Sequence, residues 1–152
     1  MPKARFSLEC KAFDEYMAKL DKIGGTAAMK KGVENALIKS KEYVTELLDA
    51  AMAKPNLPAH GDYSSGGTAD SINRDAAVEW QGMTGTIEIG FEFKESGMKS
   101  IFLMYGTKAH GTPRMSPVVG LYDAIYGNKT KSQIKKIQSE ALTATIDEIM
   151  KE

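Results

Sequence analysis

The chain has 152 residues with 20 basic and 20 acidic side chains, so its formal net charge is zero and argues against a partner held by overall charge, such as nucleic acid. The length suits one domain over 1–152, which needs neither a metal nor a disulfide to fold. Because no apolar run approaches about 18 residues and the first residues lack a signal-peptide pattern, we expect no membrane span and no export by that route.

The first residues are predicted to form a short, half-buried strand. Apolar and polar side chains alternate over 4–10, and Cys10 belongs to the inward set. We interpret Cys10 as a core residue, because no neighbouring group would activate its thiol. A single cysteine also excludes an internal disulfide and suits a reducing cytoplasm. The apolar spacing becomes helical over 11–23, and Gly24-Gly25 ends that helix.

A long amphipathic helix is predicted over 26–54. Thr26 is a suitable N-cap residue, and Pro55 cannot continue the helix. Apolar side chains at helical spacing are expected to face a sheet or another helix. They are Val33, Leu37, Val44, Leu47, Leu48, Ala51 and Met52.

Residues 55–70 are predicted to be a loop, because prolines, glycines and small polar residues dominate them. Long loops are usually functional or mobile. This composition buries too little apolar surface to offset the entropy lost on ordering. We therefore expect the loop to be mobile in the free protein and to order within an assembly.

A β-hairpin and a third strand are predicted next. Apolar residues alternate over 72–80 and 87–93, on either side of a glycine-containing turn at 82–85. The run 98–105 has the length of a third strand, although a buried helical turn would show the same apolar run.

Residues 106–117 are predicted to be a shaped basic loop. Two glycines and two prolines fix its backbone path. The loop carries Lys108, His110 and Arg114 between two rigid elements, which favours a role in recognition.

Two helices are predicted after this loop. Pro117 can open a short helix through about Tyr126, and 130–133 form a capping-box pattern that begins the last helix. Strands and helices follow one another in separate runs. This order predicts the α+β class, with an antiparallel sheet of three to four strands and the N-terminal and C-terminal helices packed mainly on one face.

Residue types suited to catalysis are sparse. His60 and His110 each stand alone in a Gly/Pro-rich loop, without a nucleophile system or metal-ligand spacing. Residues 106–109 lack the upstream glycine and the final Ser or Thr of a phosphate-binding loop. We therefore predict no enzyme, no cofactor and no metal site.

A series of short motifs runs over nearly the whole chain in a fixed order. They are Ser65-Gly66 in the Pro-containing linker, Ser71-Ile72, the strand over 87–93, Tyr105-Gly106-Thr107, Pro113-Arg114-Met115-Ser116-Pro117 and the helix to Met150. This order resembles the tail-completion and head–tail-joining family of long-tailed bacteriophages, which includes the lambda gpZ-like minor tail proteins. The resemblance implies a non-enzymatic virion protein, present in the host cytoplasm during assembly.

The resemblance also implies partners and an interface. The partners would be further copies of the chain in a ring, such as a hexamer, and tail-tube or head-connector proteins. A ring needs two complementary patches on each subunit, and we place one on the shaped loop. The predicted interface residues are Tyr105, Gly106, Thr107, Lys108, His110, Arg114, Met115 and Pro117. A turn that only connects two elements is the alternative.

Two further functions stay open. A nucleic-acid-binding module could use the basic 108–136 region, with Lys108, Arg114 and the lysines of 129–136, although the neutral charge disfavours it. Trp80 and the Phe91/Phe93 pair could stack on bases, but their strand spacing favours core positions. A hydrolase would need His60 and His110 in one pocket.

Overall fold

The computed structural model describes residues 18–19, 26–57, 67–82 and 84–151, and these are mostly helical. The predicted strand over 4–10 with Cys10, nearly all of the predicted helix over 11–23, and 58–66 lie outside the described residues.

The described elements are five labelled helices and four short strands. The helices are α1 (Thr26–Ala51), α2 (Gly67–Asp70), α3 (Phe93–Tyr105), α4 (Leu121–Tyr126) and α5 (Asn128–Lys151), with a 3-10 turn at Lys54–Asn56. The strands are β1 (Glu79–Gln81), β2 (Thr84–Thr86), β3 (Thr107–Ala109) and β4 (Thr112–Met115). β1 pairs with β2 and β3 pairs with β4, both antiparallel.

Helix α1 is the centre of the packing, with α4 and α5 against it. The backbones of α1 and α5 approach closely at Gly32, where an added Cβ would lie 2.8 Å from Thr145 Cγ2. The buried core cluster consists of Val44, Leu48, Ala51, Met52, Ile72, Met104, Val118, Leu121 and Ala124. The inward-facing apolar side predicted for the long helix is thus confirmed at Val44, Leu48, Ala51 and Met52, whereas Val33, Leu37 and Leu47 are half-buried.

The mixture of helix and strand is confirmed, but the predicted sheet of three to four strands is not found among the described residues. The first hairpin forms over a shorter stretch than predicted, 79–86. A single antiparallel bridge joins Ile72 to Phe91, and 87–89 join no ladder. The predicted third strand over 98–105 lies instead within α3, because Ser96, Ser100 and Met104 pack inward at helical spacing.

Two helices begin at residues other than those predicted, because tertiary hydrogen bonds decide where they begin. The Val118 backbone N–H donates to the Leu103 carbonyl (2.8 Å), and Gly120 has a φ of 82°, so α4 begins at Leu121 rather than at Pro117. Helix α5 begins two residues before the predicted capping box. Thr130 is buried within α5, and its hydroxyl donates to the Asp123 carbonyl (2.7 Å) instead of capping the helix.

The ends of the predicted 55–70 loop are partly helical. Helix α1 stops at Ala51 rather than Lys54, and Pro55 lies inside the 3-10 turn at Lys54–Asn56. Helix α2 occupies Gly67–Asp70. The expected mobility of this segment concerns mainly 58–66 and stays a prediction.

The segment 73–81 runs along α1 as a strap. Arg74 forms an ion pair with Asp49, with 2.6 Å between the guanidinium nitrogen and the carboxylate oxygen. Lys41 Nζ donates to the carbonyl oxygens of Arg74 (2.6 Å) and Ala76 (3.0 Å). These bonds hold the β1–β2 hairpin on the helix.

The position directly before β3 is expected to require glycine. Gly106 has φ 73° and ψ 179°, and an added Cβ would lie 2.5 Å from the Met115 carbonyl oxygen. We expect Gly106→Ala to lower the free energy of unfolding by about 2 kcal/mol or more, from backbone strain and the clash. Chemical denaturation measures this change.

Gly111→Ala is the matched control. Gly111 also has a positive φ (81°), but nothing lies within 4 Å of its added Cβ. This variant should cost only about 1 kcal/mol, from the backbone conformation alone. Equal losses in the two variants would contradict the close packing at Gly106.

Candidate functional site

The predicted basic loop is a β-hairpin rather than an irregular loop. Thr107–Ala109 and Thr112–Met115 pair antiparallel around a tip at His110-Gly111. Both tip residues have positive φ, 51° and 81°, as two-residue hairpin turns require. The glycines therefore shape the segment as predicted, and backbone pairing adds a regularity that the sequence analysis did not anticipate.

The predicted interface residues lie at the end of α3 and along this hairpin. Lys108, His110 and Arg114 are exposed, Thr107 and Met115 are half-buried, and Pro117 is exposed beside the half-buried Gly106. Tyr105, the last residue of α3, is 63% exposed. The structure thus places them on one continuous stretch of chain at the surface.

Helix α3 has an inverted amphipathic pattern. Ser96, Gly97, Ser100 and Met104 are buried on its inner side, where the Ser100 hydroxyl donates to the Gly97 carbonyl (2.8 Å). Its exposed side carries large apolar residues at the i, i+3, i+4 and i+7 positions. They are Met98, Ile101, Phe102 and Tyr105. A surface helix usually does the opposite and turns its apolar side to the core.

Two tyrosines of α4 extend this exposed side. The rings of Tyr105 and Tyr122 meet edge to face with centroids 5.7 Å apart, and those of Tyr122 and Tyr126 are 5.2 Å apart. We call the whole set the apolar stripe. It comprises Met98, Ile101, Phe102, Tyr105, Tyr122 and Tyr126, each between 41% and 63% exposed.

The size of the apolar stripe sets it apart from scattered exposed hydrophobics. At roughly 200 Å² for a large side chain, its exposed fraction corresponds to about 600 Å². The largest apolar patch on a typical monomer measures about 300–600 Å², so the apolar stripe lies at the upper end of that range. The largest apolar patch on a monomer is often functional, which makes the apolar stripe a candidate site of interaction.

Among the residues of the apolar stripe, only Tyr105 was predicted from the sequence to lie in an interface. The signal for the others was the helical spacing of 98, 101, 102 and 105 combined with small residues at 96, 97 and 100. The four consecutive apolar residues 101–104 indicated a strand and concealed this spacing.

A groove lies beside α4. Its volume is about 570 Å³, and apolar side chains of α1 and of 119–124 form much of its wall. Asp123 and Ala124 of α4 line the groove, whereas Tyr122 and Tyr126 belong to the apolar stripe. The two features therefore use different residues of the same short helix.

Trp80 is already engaged by α1. Its Nε1–H donates to Glu34 Oε1 (2.9 Å), and Lys30 Nζ lies 5.2 Å from the ring centroid. Phe91 packs against the core. Trp80 holds the β1–β2 hairpin on α1, so neither side chain is an open stacking platform for bases.

The lysines of the basic 108–136 region do not form one track along α5. At 100° per residue, Lys129 and Lys136 share one side of the helix, and Lys131 and Lys135 share another. Lys136 Nζ also lies 3.9 Å from Glu140 Oε1. A phosphate backbone would therefore meet these cations only in pairs.

Possible metal ligands are not clustered in the described part of the chain. It contains no group of three His, Cys, Asp or Glu residues that could hold a metal ion. Nor does it contain a helix long and apolar enough to cross a membrane. His110 is exposed at the hairpin tip, and His60 lies outside the described residues.

The chain matches no protein-family model, no curated protein and no solved structure. The resemblance to tail-completion and head–tail-joining proteins therefore stays a prediction.

The distribution of the α5 lysines over two sides of the helix leads to a testable prediction about DNA binding. We expect no mobility shift of a DNA duplex at low salt, because zero net charge and paired lysines supply few simultaneous phosphate contacts. Electrophoresis at ~50 and ~200 mM salt measures this. A shift at the lower salt that disappears in Lys131→Gln/Lys135→Gln would contradict the expectation.

Proposed function

We propose that this protein is a structural subunit of a phage or prophage virion, of the neck or tail-completion kind. It works by associating with further copies of itself and by docking onto tail-tube or head-connector subunits. The observation that carries the proposal is the apolar stripe, which is exposed on a chain of zero net charge. Its α3 residues lie directly before the β3–β4 hairpin in the chain, and its two α4 tyrosines follow the hairpin.

The magnitude of apolar burial supports self-association. Covering about 600 Å² at about 25 cal/mol per Å² contributes about 15 kcal/mol before costs. Association itself costs about 4–15 kcal/mol. The cost of association can cancel the gain from burying the apolar stripe alone. Stable binding therefore needs further contacts around the stripe, which the exposed hairpin can supply.

The virion role draws its support from two of the motifs in that order. Tyr105-Gly106-Thr107 joins the apolar stripe to the hairpin, and 113–117 include most of the second hairpin strand. Two of the motifs that resemble the phage family thus lie at the exposed surface. A subunit that presents such a surface is suited to the virion, with the host cytoplasm as the place of assembly.

A charge inside the apolar stripe should abolish self-association. We expect Phe102→Glu to weaken association at least 30-fold, because a central apolar anchor is worth about 2 kcal/mol or more and the carboxylate would be buried. Sedimentation velocity over a concentration series measures the change.

Ile38→Glu is the matched control. Ile38 is also a large apolar side chain, 39% exposed, but it lies on α1 outside the apolar stripe. It should associate like the unmodified protein, and circular dichroism should show both variants folded. Equal behaviour of the two variants, or an unmodified protein that stays monomeric at millimolar concentration, would refute the proposal.

The hairpin should contribute separately. Arg114→Ala with Met115→Ala should leave the monomer folded, because Arg114 is exposed and Met115 lies outside the core cluster. We expect weaker oligomerisation and reduced tail-dependent infectivity when this variant complements a phage lacking the gene. Full complementation by the double variant would remove the hairpin from the interface.

A further inference from the structure

The chain leaves the core after Ile72 and returns to it at Phe91. Ile72 is buried in the core cluster and forms an antiparallel bridge with Phe91. Next to this bridge, the Asn73 backbone N–H donates to the Gly90 carbonyl (2.7 Å). These contacts close the base of an excursion of the chain, and we call residues 74–88 the arm. The arm contains the β1–β2 hairpin and nearly all of the strap.

The arm lies on α1 and buries little of itself there. Among its described residues, 74–82 and 84–88, each is exposed or half-buried. An apolar contact with α1 is made where Trp80 and Gly85 meet Leu37, and all three are half-buried. Segments that bury few apolar side chains open at a lower free energy than the core unfolds. The arm therefore has the properties of a unit that opens locally.

Polar contacts join the arm to α1. The α1 side chains that make them are Lys30, Glu34, Lys41 and Asp49. The first three recur at helical spacing together with Leu37, so these four residues share one side of the helix. Lys30 and Glu34 contact Trp80 in β1, whereas Lys41 and Asp49 contact the arm near its base.

Lys41 makes two charge-assisted hydrogen bonds to the arm. Its ammonium group donates to the carbonyl oxygens of Arg74 (2.6 Å) and Ala76 (3.0 Å). Hydrogen bonds of a charged donor are roughly twice as strong as those between neutral groups. The Arg74–Asp49 ion pair contributes less, because its side chains are 46% and 48% exposed and surface ion pairs add little stability. Lys41 is therefore the main polar attachment near the base.

We infer that the arm opens from α1 as one unit while its base at Ile72 and Phe91 stays closed, and that Lys41 holds the arm shut. When the arm is closed, it covers Leu37 and the side of α1 around it. Opening uncovers this side and detaches the β1–β2 hairpin. The arm contains no residue of the apolar stripe, so this inference goes beyond the proposed self-association.

Hydrogen exchange at two protons of the same molecule tests the inference. Trp80 is the single tryptophan of the chain, so its indole N–H gives one NMR signal, and its bond to Glu34 exists only while the arm is closed. The Asn73 backbone N–H is bonded within the base. We expect Lys41→Met to accelerate exchange of the Trp80 indole proton at least 10-fold, because two hydrogen bonds of a charged donor are lost. Exchange at Asn73 should not change.

Lys39→Met is the matched control. Lys39 is an exposed lysine of the same helix and makes none of the contacts with the arm given above. Both protons should exchange in this variant as in the unmodified protein. Circular dichroism should show both variants folded, and Lys41→Gln replaces Lys41→Met if the latter is unfolded.

Two results would overturn the inference. Equal acceleration at Trp80 and Asn73 would mean that the base opens together with the arm, so that the arm is no separate unit. Unchanged exchange at Trp80 in folded Lys41→Met would mean that Lys41 does not hold the arm shut. Neither result bears on association through the apolar stripe, which sedimentation measures independently.

Discussion

The close contact of α1 with α5 is the constraint on which the other elements depend. Gly32 and Thr145 touch where the two backbones converge, and Val44 and Leu48 are buried further along α1. Ser40, buried on the same helix, satisfies its hydroxyl by donating to the Ala36 carbonyl (2.7 Å). Because α1 also holds α4 and the strap over 73–81, its sides are largely occupied and α3 remains at the margin of the packing.

That marginal position explains why α3 turns large side chains outward. Among the α3 side chains whose burial is described, Ser96, Gly97, Ser100 and Met104 are buried, and Leu103 is half-buried against the core. Because small residues occupy most of the buried positions of α3, four large apolar side chains, Met98, Ile101, Phe102 and Tyr105, lie on the solvent side. The free energy that an ordinary amphipathic helix gains from its core is here available for association.

The sequence predicts the elements whose signals are local. The glycine signal located the first hairpin, although Thr84 and Gly85, predicted in its turn, pair within β2. The helical spacing on α1 specifies its structure within a few residues and is confirmed. The run 101–104 does not, since its four apolar residues suit a strand as well as a helix, and the deciding packing at Ser96 and Ser100 is tertiary. The start of α4 also depends on a distant group, the Leu103 carbonyl. For the candidate site, Gly/Pro spacing located the hairpin and Tyr105, but the remaining stripe residues needed α3 and α4 in place.

The zero net charge is compatible with the proposed self-association. Copies of a strongly charged chain repel one another, whereas 20 basic and 20 acidic side chains leave no long-range barrier to close approach. Contact is then governed by local surfaces. In the proposed association the apolar stripe would supply a non-directional gain from burial, and the hairpin, with Lys108 and Arg114 exposed, would supply directional polar contacts. A subunit that carries both features can favour one orientation of its partner over others. An apolar patch alone cannot do this.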